Sequence, residues 1–373
     1  MVAAMPDQAT MTRAQDRAER SGAVDMARVE VIAPNLKKRL SGVTSTIVQL
    51  VPVQARDIGI AVVGPGLPDN LPKMRWWQLP SLLRRPASGQ PRIWHARRNV
   101  EMVAGLVLRY VFRAPLRLVF TSAAQRDHRP FTKWLIRRMD GVIATSRLSG
   151  GFLEVPHKVV LHGVDLEKFH PPRTADDAFE AAGLPGRYAI GCFGRVRHSK
   201  GTDLFVDAMI ALLPDHPEWT AVITGRVTAE HKGFADELQQ RIDAAGLSER
   251  ILLFGEVPDV AVWYRRVRLY VAPSRNEGFG LTPLEAMASG TAVVASDAGS
   301  YAEIVTPGKT GAVVAAGDGD ALREAIRPYL ADPALAEARG AEGLEDVRKR
   351  FRLETEAAGI REVYERVWAG AAE

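Results

Sequence analysis

The stretch VRLYVAPSRNEGFGLTPLE, residues 267–285, runs from an apolar segment through a glycine-flanked loop into a helix start. An apolar run of this length, bounded by turn residues, reads as a buried strand. Threonine and proline at 282 and 283, with Glu285 three residues after the threonine, read as a capping box that opens the helix behind it. The stretch is therefore one strand–loop–helix unit of an α/β sheet.

The same alternation extends in both directions. Upstream, VEVIAP, IGIAVVG, RIWH, LRLVFTS, GVIATS and KVVLHGVD read as strands or strand ends separated by helix-length segments. A second series, YAIGCFG, WTAVITG, RILLFGEV, VRLYVAPS, TAVVASDAG and GAVVAAGD, repeats the pattern. Their nearly continuous apolar character predicts parallel sheets covered on both faces. The expected fold is α/β, with two Rossmann-like parallel-sheet domains facing a cleft. Ligands of such sheets bind outside the carboxyl ends of the strands.

A chain of 373 residues has room for two such cores. The expected divisions are a mobile tail at 1–27, a first domain at 28–169, a linker at 170–187, a second domain at 188–350, and a helix at 351–373 able to pack back on the first domain. Apolar and charged contents of 46% and 25% exclude a disordered or fibrous chain. The single cysteine, Cys192, excludes an internal disulfide and fits a reducing, cytoplasmic setting. The first 27 residues lack the apolar core of a signal peptide. The apolar run from Val100 to Phe120 is interrupted by Arg109, Arg113, Pro115 and Arg117, so no spanning helix is expected.

Charge is uneven. From Lys73 to Arg147 there are sixteen Lys/Arg against Glu101, Asp127 and Asp140. Such a field attracts phosphate-rich partners; a solvated basic face is the alternative.

Glutamates eight apart occur in four places, but only Glu277 and Glu285 follow a strand. A carboxylate accepting from vicinal hydroxyls suits sugar recognition, and one could hold a hexose, the other a ribose. Upstream, GCFGRVRHSKGTD, residues 191–203, sets Gly194, Arg195, Lys200 and Gly201 in a turn between a strand and a helix opening near Thr202. The glycines permit close backbone approach, and the two cations could flank a diphosphate. The lysine spacing differs from that of a Walker loop.

GRVRHSKG, then EGFGLTPLE, then ASGTAVVASDAGSYAEIV together resemble the donor-binding domain of the large retaining glycosyltransferase family of GT-B architecture. The resemblance implies that Arg195 and Lys200 bind the donor diphosphate. It also implies that Glu277 contacts the hexose and Glu285 the ribose, with Gly278, Phe279, Gly280 and Leu281 against sugar and phosphate. Base recognition in this fold often uses backbone, here around Val257. In the first half, NLKKRLSGVTST resembles the glycine loop over the phosphates, making Gly42 a candidate. RIWHARRN resembles a strand end where relatives carry a catalytic histidine; Arg97 stands at that place and His95 precedes it. His95 has the alternative of a satisfied strand-end histidine, and His162 that of a plain turn residue.

More narrowly, NLKKRLSGVTSTIVQL and FTSAAQRDHRPFTKWLIRRMDGVIATS are similar to mannosyltransferases of bacterial lipopolysaccharide core assembly. These resemble enzymes that use GDP-mannose to glycosylate the Kdo region of a lipid A precursor. An anionic, lipid-linked acceptor would gather around Lys73, Arg75, Arg84, Arg85, Arg97 and Arg98. LPKMRWWQLPSLLRRP, with Trp76 and Trp77 among cations, has the composition of an interfacial segment, and the tryptophans have a core alternative. The enzyme would then work as a peripheral protein at the inner face of the cytoplasmic membrane. In the implied reaction Arg195, Lys200 and the helix start after Gly280 stabilise charge on the departing phosphate. No Asp-x-Asp stands in a matching place, so neither metal nor cofactor is expected. Another nucleotide-sugar donor, or an epimerase or phosphorylase on the same fold, are alternative readings. A basic nucleic-acid binder fits poorly, because the charge is confined to one domain and aromatic-rich signatures are missing.

Overall fold

The computed structural model describes residues 23–37 and 42–370. The chain divides into two units: one contains the residues up to Leu161 together with those from Leu353 onward, the other His162–Arg352.

The first unit holds a parallel sheet in the order β2-β1-β3-β4-β5-β6, formed by Val31–Pro34 (β1), Ile60–Val63 (β2), Arg92–Ala96 (β3), Leu116–Ser122 (β4), Gly141–Ala144 (β5) and Lys158–Val159 (β6). Successive residues of a strand point to opposite faces, and the core divides accordingly. Val31, Ile93, Val119 and Ile143 pack with Ile47 and Leu50 of the helix Gly42–Gln54 and with Ile360 and Val363 of the helix Leu353–Ala369. Ile32, Trp94, Leu118 and Val142 pack on the other side with Met102 and Leu106 of the helix Asn99–Tyr110. The same side carries Leu135 of the helix Pro130–Ile136 and Leu82 of the 3-10 segment Trp76–Leu83.

Two expected boundaries move. Of the predicted tail, residues 1–22 lie outside the described residues, but Ala23–Ala27 are packed: Ala23 and Met26 are buried. The buried guanidinium of Arg92 donates to the carbonyls of Val29 (2.9 Å) and Met26 (2.6 Å), stitching this segment to β3. A buried cation with a full set of acceptors holds what the chain's composition alone leaves loose. The predicted linker 170–187 is likewise part of the second unit. Asp177 pairs with Arg265 at 2.5 Å and Phe179 is buried.

The second unit orders its strands β12-β11-β10-β7-β8-β9. They are Tyr188–Phe193 (β7), Trp219–Thr224 (β8), Ile251–Gly255 (β9), Leu269–Ala272 (β10), Ala292–Ser296 (β11) and Gly311–Val314 (β12). This is the doubly wound order, with its reversal between β7 and β10. One face packs Ile190, Ala221 and Val271 against Phe205 and Met209 of the helix Thr202–Leu212. Cys192 lies in that core, where burial pushes its thiol up to about 12, as expected of an inert structural cysteine.

Candidate active site

The loops leaving β7 and β10 meet at the point where strand order reverses, the usual ligand crevice of such a sheet. Backbone bonds join them: Arg275 N and Asn276 N both donate to the Ser199 carbonyl, at 3.0 and 3.2 Å. The Arg275 guanidinium grips Asp203 at both oxygens, 2.7 Å each, which ties the second loop to the helix Thr202–Leu212. Gly201 has φ +68°, and a Cβ there would lie 1.9 Å from the Pro273 carbonyl oxygen, so only glycine allows this approach.

The charges read from the sequence converge here. The Lys200 ammonium donates to Glu277 Oε2. Glu277 Oε1 accepts from Gly278 N at 3.0 Å, and the Tyr301 hydroxyl donates to Oε2 at 3.3 Å. Arg195, exposed, lines a small cavity with Gly194, Lys200, Thr202, Ser274 and Tyr301. Gly280 has φ +85°, and a Cβ there would fall 2.3 Å from the Tyr301 ring and 2.8 Å from Glu277 Cγ. The close packing that orients Glu277 thus depends on that glycine. Leu281 and Gly278 are half-buried, and Phe279 is buried with its ring edge-on to His162 at 4.8 Å. His162 is therefore packed on the loop, beyond the plain turn role open to it in sequence.

Glu285 departs from expectation. The helix Thr282–Ala288 begins after Leu281 with no side-chain cap, and Thr282 Oγ1 lies 3.4 Å from the Tyr301 hydroxyl. The capping box does not form, because the fold supplies Glu285 with another partner: the Tyr264 hydroxyl donates to Oε2 at 2.9 Å. Burial pushes the Glu285 carboxyl up, opposed by that hydrogen bond and by the charges of Lys168 and Lys200. Burial also pushes the Tyr264 and Tyr301 hydroxyls up, keeping both as donors. The starts of this helix and of the helix Thr202–Leu212 both reach the cavity, through Thr282 and Thr202. Val257 follows β9 at the carboxyl edge of the sheet, half-buried.

In the first unit Arg98 and His95 are each held by internal partners. Strand order reverses there between β1 and β3. Arg98 donates to Glu101 Oε1 (2.8 Å), Asn35 Oδ1 (2.7 Å) and Thr44 Oγ1 (3.1 Å). The fully buried Glu101 also accepts from the backbone of Arg97 at 2.8 Å and of Leu36 at 3.4 Å. The Arg97 guanidinium donates to the His95 carbonyl at 3.3 Å, and burial lowers its pKa. His95 is enclosed at 0% exposure, with Nδ1 2.6 Å from the Tyr364 hydroxyl and Nε2 2.6 Å from Thr121 Oγ1. It is a satisfied core histidine rather than a group presented to an acceptor, and burial holds its pKa well below the usual value.

The remaining basic candidates are scattered in their roles. Lys73 donates to Asp69 (2.8 Å) and the Leu67 carbonyl (3.0 Å), Arg85 to the Gly89 carbonyl (2.8 Å). Arg84 is exposed and Arg75 half-exposed. Trp76 and Trp77 are exposed, which removes their core alternative. Gly42 opens the helix Gly42–Gln54 with no heavy atom within 4 Å of an added Cβ; Lys38–Ser41 before it lie outside the described residues. Sequence reading missed Tyr264, Tyr301, Glu101 and the Arg275–Asp203 pair. Only the doubly wound order, once known, would have marked Tyr301 and Arg275 as neighbours of the turn.

The chain belongs to the family of glycosyl transferases group 1, whose model matches residues 175–346. It is 67% identical over 341 residues, 91% of this chain and 97% of the relative, to the lipopolysaccharide core biosynthesis mannosyltransferase LpcC of Rhizobium leguminosarum bv. viciae. To LpsB of Rhizobium meliloti, of the same description, it is 53% identical over 347 residues, 92% and 99% of the two chains. HepE of Anabaena, solved with UDP and glucose, shares the fold at TM-score 0.74 and 19% identity, over 90% of this chain and 99% of that one. A glycosyltransferase of Rickettsia africae does so at TM-score 0.77 and 17% identity, over 91% and 98%. The expected GT-B fold class and family are thus those found.

Proposed function

We propose that the protein is a retaining mannosyltransferase of lipopolysaccharide core assembly. It moves mannose from GDP-mannose to the Kdo region of a lipid A precursor at the inner face of the cytoplasmic membrane. The relatives' descriptions support mannosyl transfer to the core; the donor base and the acceptor are our extension.

The observation that carries the reading is that Lys200, which lines one cavity with Arg195, is paired with Glu277. Without donor, ammonium and carboxylate neutralise each other. An incoming diphosphate draws Lys200 and Arg195, and Glu277 is left to accept from hexose hydroxyls, held in place by Gly278 N and Tyr301. Glu285, steadied by Tyr264, accepts from the ribose hydroxyls. As the bond from the anomeric carbon to the phosphate oxygen breaks, negative charge grows on that oxygen. The two cations and the start of the helix Thr202–Leu212 stabilise it. The acceptor hydroxyl attacks from the same face and passes its proton to the departing oxygen, giving GDP and the mannoside with configuration retained. No metal takes part in this scheme.

The test is calorimetry with GDP, UDP and ADP. GDP is expected to bind best, and Lys200→Ala and Glu285→Ala to weaken it. Unchanged affinity in both variants removes the donor assignment.

A further inference from the structure

The helix Asn99–Tyr110 is apolar on two sides. Met102 and Leu106 enter the core, while Val100, Val103, Val107 and Tyr110 recur every three or four residues on the solvent side. Val111 and Phe112, 69% and 59% exposed, continue that stripe. A soluble helix ordinarily carries charge on its outer face. The neighbouring helix Pro130–Ile136, joined to it by Asn99 Nδ2 donating to Thr132 Oγ1 at 2.7 Å, exposes the stacked pair Phe131 and Trp134. The 3-10 segment Trp76–Leu83 exposes Trp76 and Trp77, the latter at 70%. All three elements anchor in the core on the same face of the first sheet, through Leu82, Met102, Leu106 and Leu135. Their outward residues therefore belong to one helical layer.

We propose that the outer surface of this layer docks on an anionic lipid bilayer. Charge decides the occupant. Residues 76–138 contain thirteen Lys/Arg and two acids. Of those acids, Glu101 is fully buried and Asp127 is paired with Lys133 at 2.8 Å. Arg113, next to Phe112, and Arg129, at the start of the helix that carries Phe131, are exposed, and Arg138 lies 3.6 Å over the Trp134 ring. Valine, aromatic rings and arginine, with Glu154 paired to Lys133 and Arg137 beside them, form an interfacial surface, with rings at headgroup depth and cations at lipid phosphates. A second copy of the chain would bring a like-charged rim against this one, and charge is depleted from the centre of protein interfaces. Among the described residues no helix is long and apolar enough to cross a membrane, so attachment here lies on the surface. The choice of a lipid partner draws on the reading that the acceptor is lipid-linked.

The full chain, without nucleotide or acceptor, is sedimented with vesicles of phosphatidylcholine, with and without phosphatidylglycerol. Binding is expected only to the anionic vesicles and to weaken with salt. The double substitutions Tyr110→Ser with Trp134→Ser, and Arg113→Glu with Arg138→Glu, are each expected to cut partitioning about tenfold or more. Both are at exposed positions, so circular dichroism and GDP affinity should match the parent. Transfer to a delipidated acceptor should also be unchanged, so failure of the transfer reaction and failure of docking are separate outcomes. The proposal is overturned if the parent ignores anionic vesicles, if neither double variant changes partitioning, or if sedimentation equilibrium shows a dimer that Tyr110→Ser with Trp134→Ser dissolves while vesicles remain unbound.

Discussion

At the crossing point of the second sheet, Arg195 and Lys200 line a cavity and Glu277 pairs with Lys200; at that of the first, Arg98 is turned on Glu101, and His95 on Tyr364 and Thr121. Both places gather cations and an acid at the carboxyl ends of parallel strands. They differ in what surrounds the acid. Glu277 keeps partial exposure, and one of its partners is the ammonium of Lys200. Glu101 is sealed at 0% exposure under two backbone N–H donors and a guanidinium that also serves Asn35 and Thr44. A carboxylate so enclosed fixes loops in place, whereas one matched to a lysine can change partners when a phosphate arrives. The same residue types are thus locked together in one unit and lie beside a cavity in the other.

The strongest test of that contrast is Glu101→Ala. It leaves the Arg98 charge, 12% exposed, without its carboxylate, and should lower stability by about 3–5 kcal/mol, read from urea unfolding of the full chain. A loss under about 1 kcal/mol would mean that the network is not closed. Next is Arg195→Ala. Its side chain is exposed, so stability should stay within about 0.5 kcal/mol. The rate of mannosyl transfer at saturating donor should fall about 100-fold or more, the scale of a lost charge stabiliser at a leaving group. A normal rate would place the chemistry elsewhere.

Tyr264→Phe sharpens the assignment of Glu285. Removing a hydroxyl that donates to a buried carboxylate should weaken GDP binding by about 1.5–3 kcal/mol, seen by calorimetry, with a smaller effect on turnover. Loss of turnover with affinity intact would contradict a ribose-holding role.

The smallest effect concerns acid. The pKa of His95 is lowered by burial, so below its usual value of about 6.5 the unfolded chain takes a proton that the folded chain refuses. Stability therefore falls as pH drops below that value, by up to about 1.4 kcal/mol per pH unit until the folded-state pKa is reached. Urea unfolding at pH 7.5 and 5.5 should show this slope, and His95→Gln should flatten it. An equal slope in both proteins would show that His95 is not the group responsible.

The convergence of the loops leaving β7 and β10 was legible because its signals are local. Gly194 and Gly201 of GRVRHSKG and Gly280 of EGFGLTPLE mark positions where the backbone turns with positive φ, and strand, loop and helix follow within a few residues. Pairing Arg195 and Lys200 with Glu277 needed only the rule that ligands gather at strand ends. Misreadings arose where a local rule competed with a distant partner. Glu285 matched a capping box in sequence, but Tyr264, 21 residues away, takes its carboxylate. His95 stood in a motif resembling a catalytic strand end, yet Tyr364, 269 residues away, closes over it.

By itself the sequence determined the alternation of apolar strands and amphipathic helices, the two-sheet class and the charged groups of the loops that leave β7 and β10. These are encoded in spacing and in backbone conformations that few residues tolerate. Tertiary structure alone decided which charges stay available. Whether an arginine faces a cavity or a buried glutamate depends on strand order and on helices returning from far along the chain, and burial, which sets the worth of each charge, is a property of the packed whole.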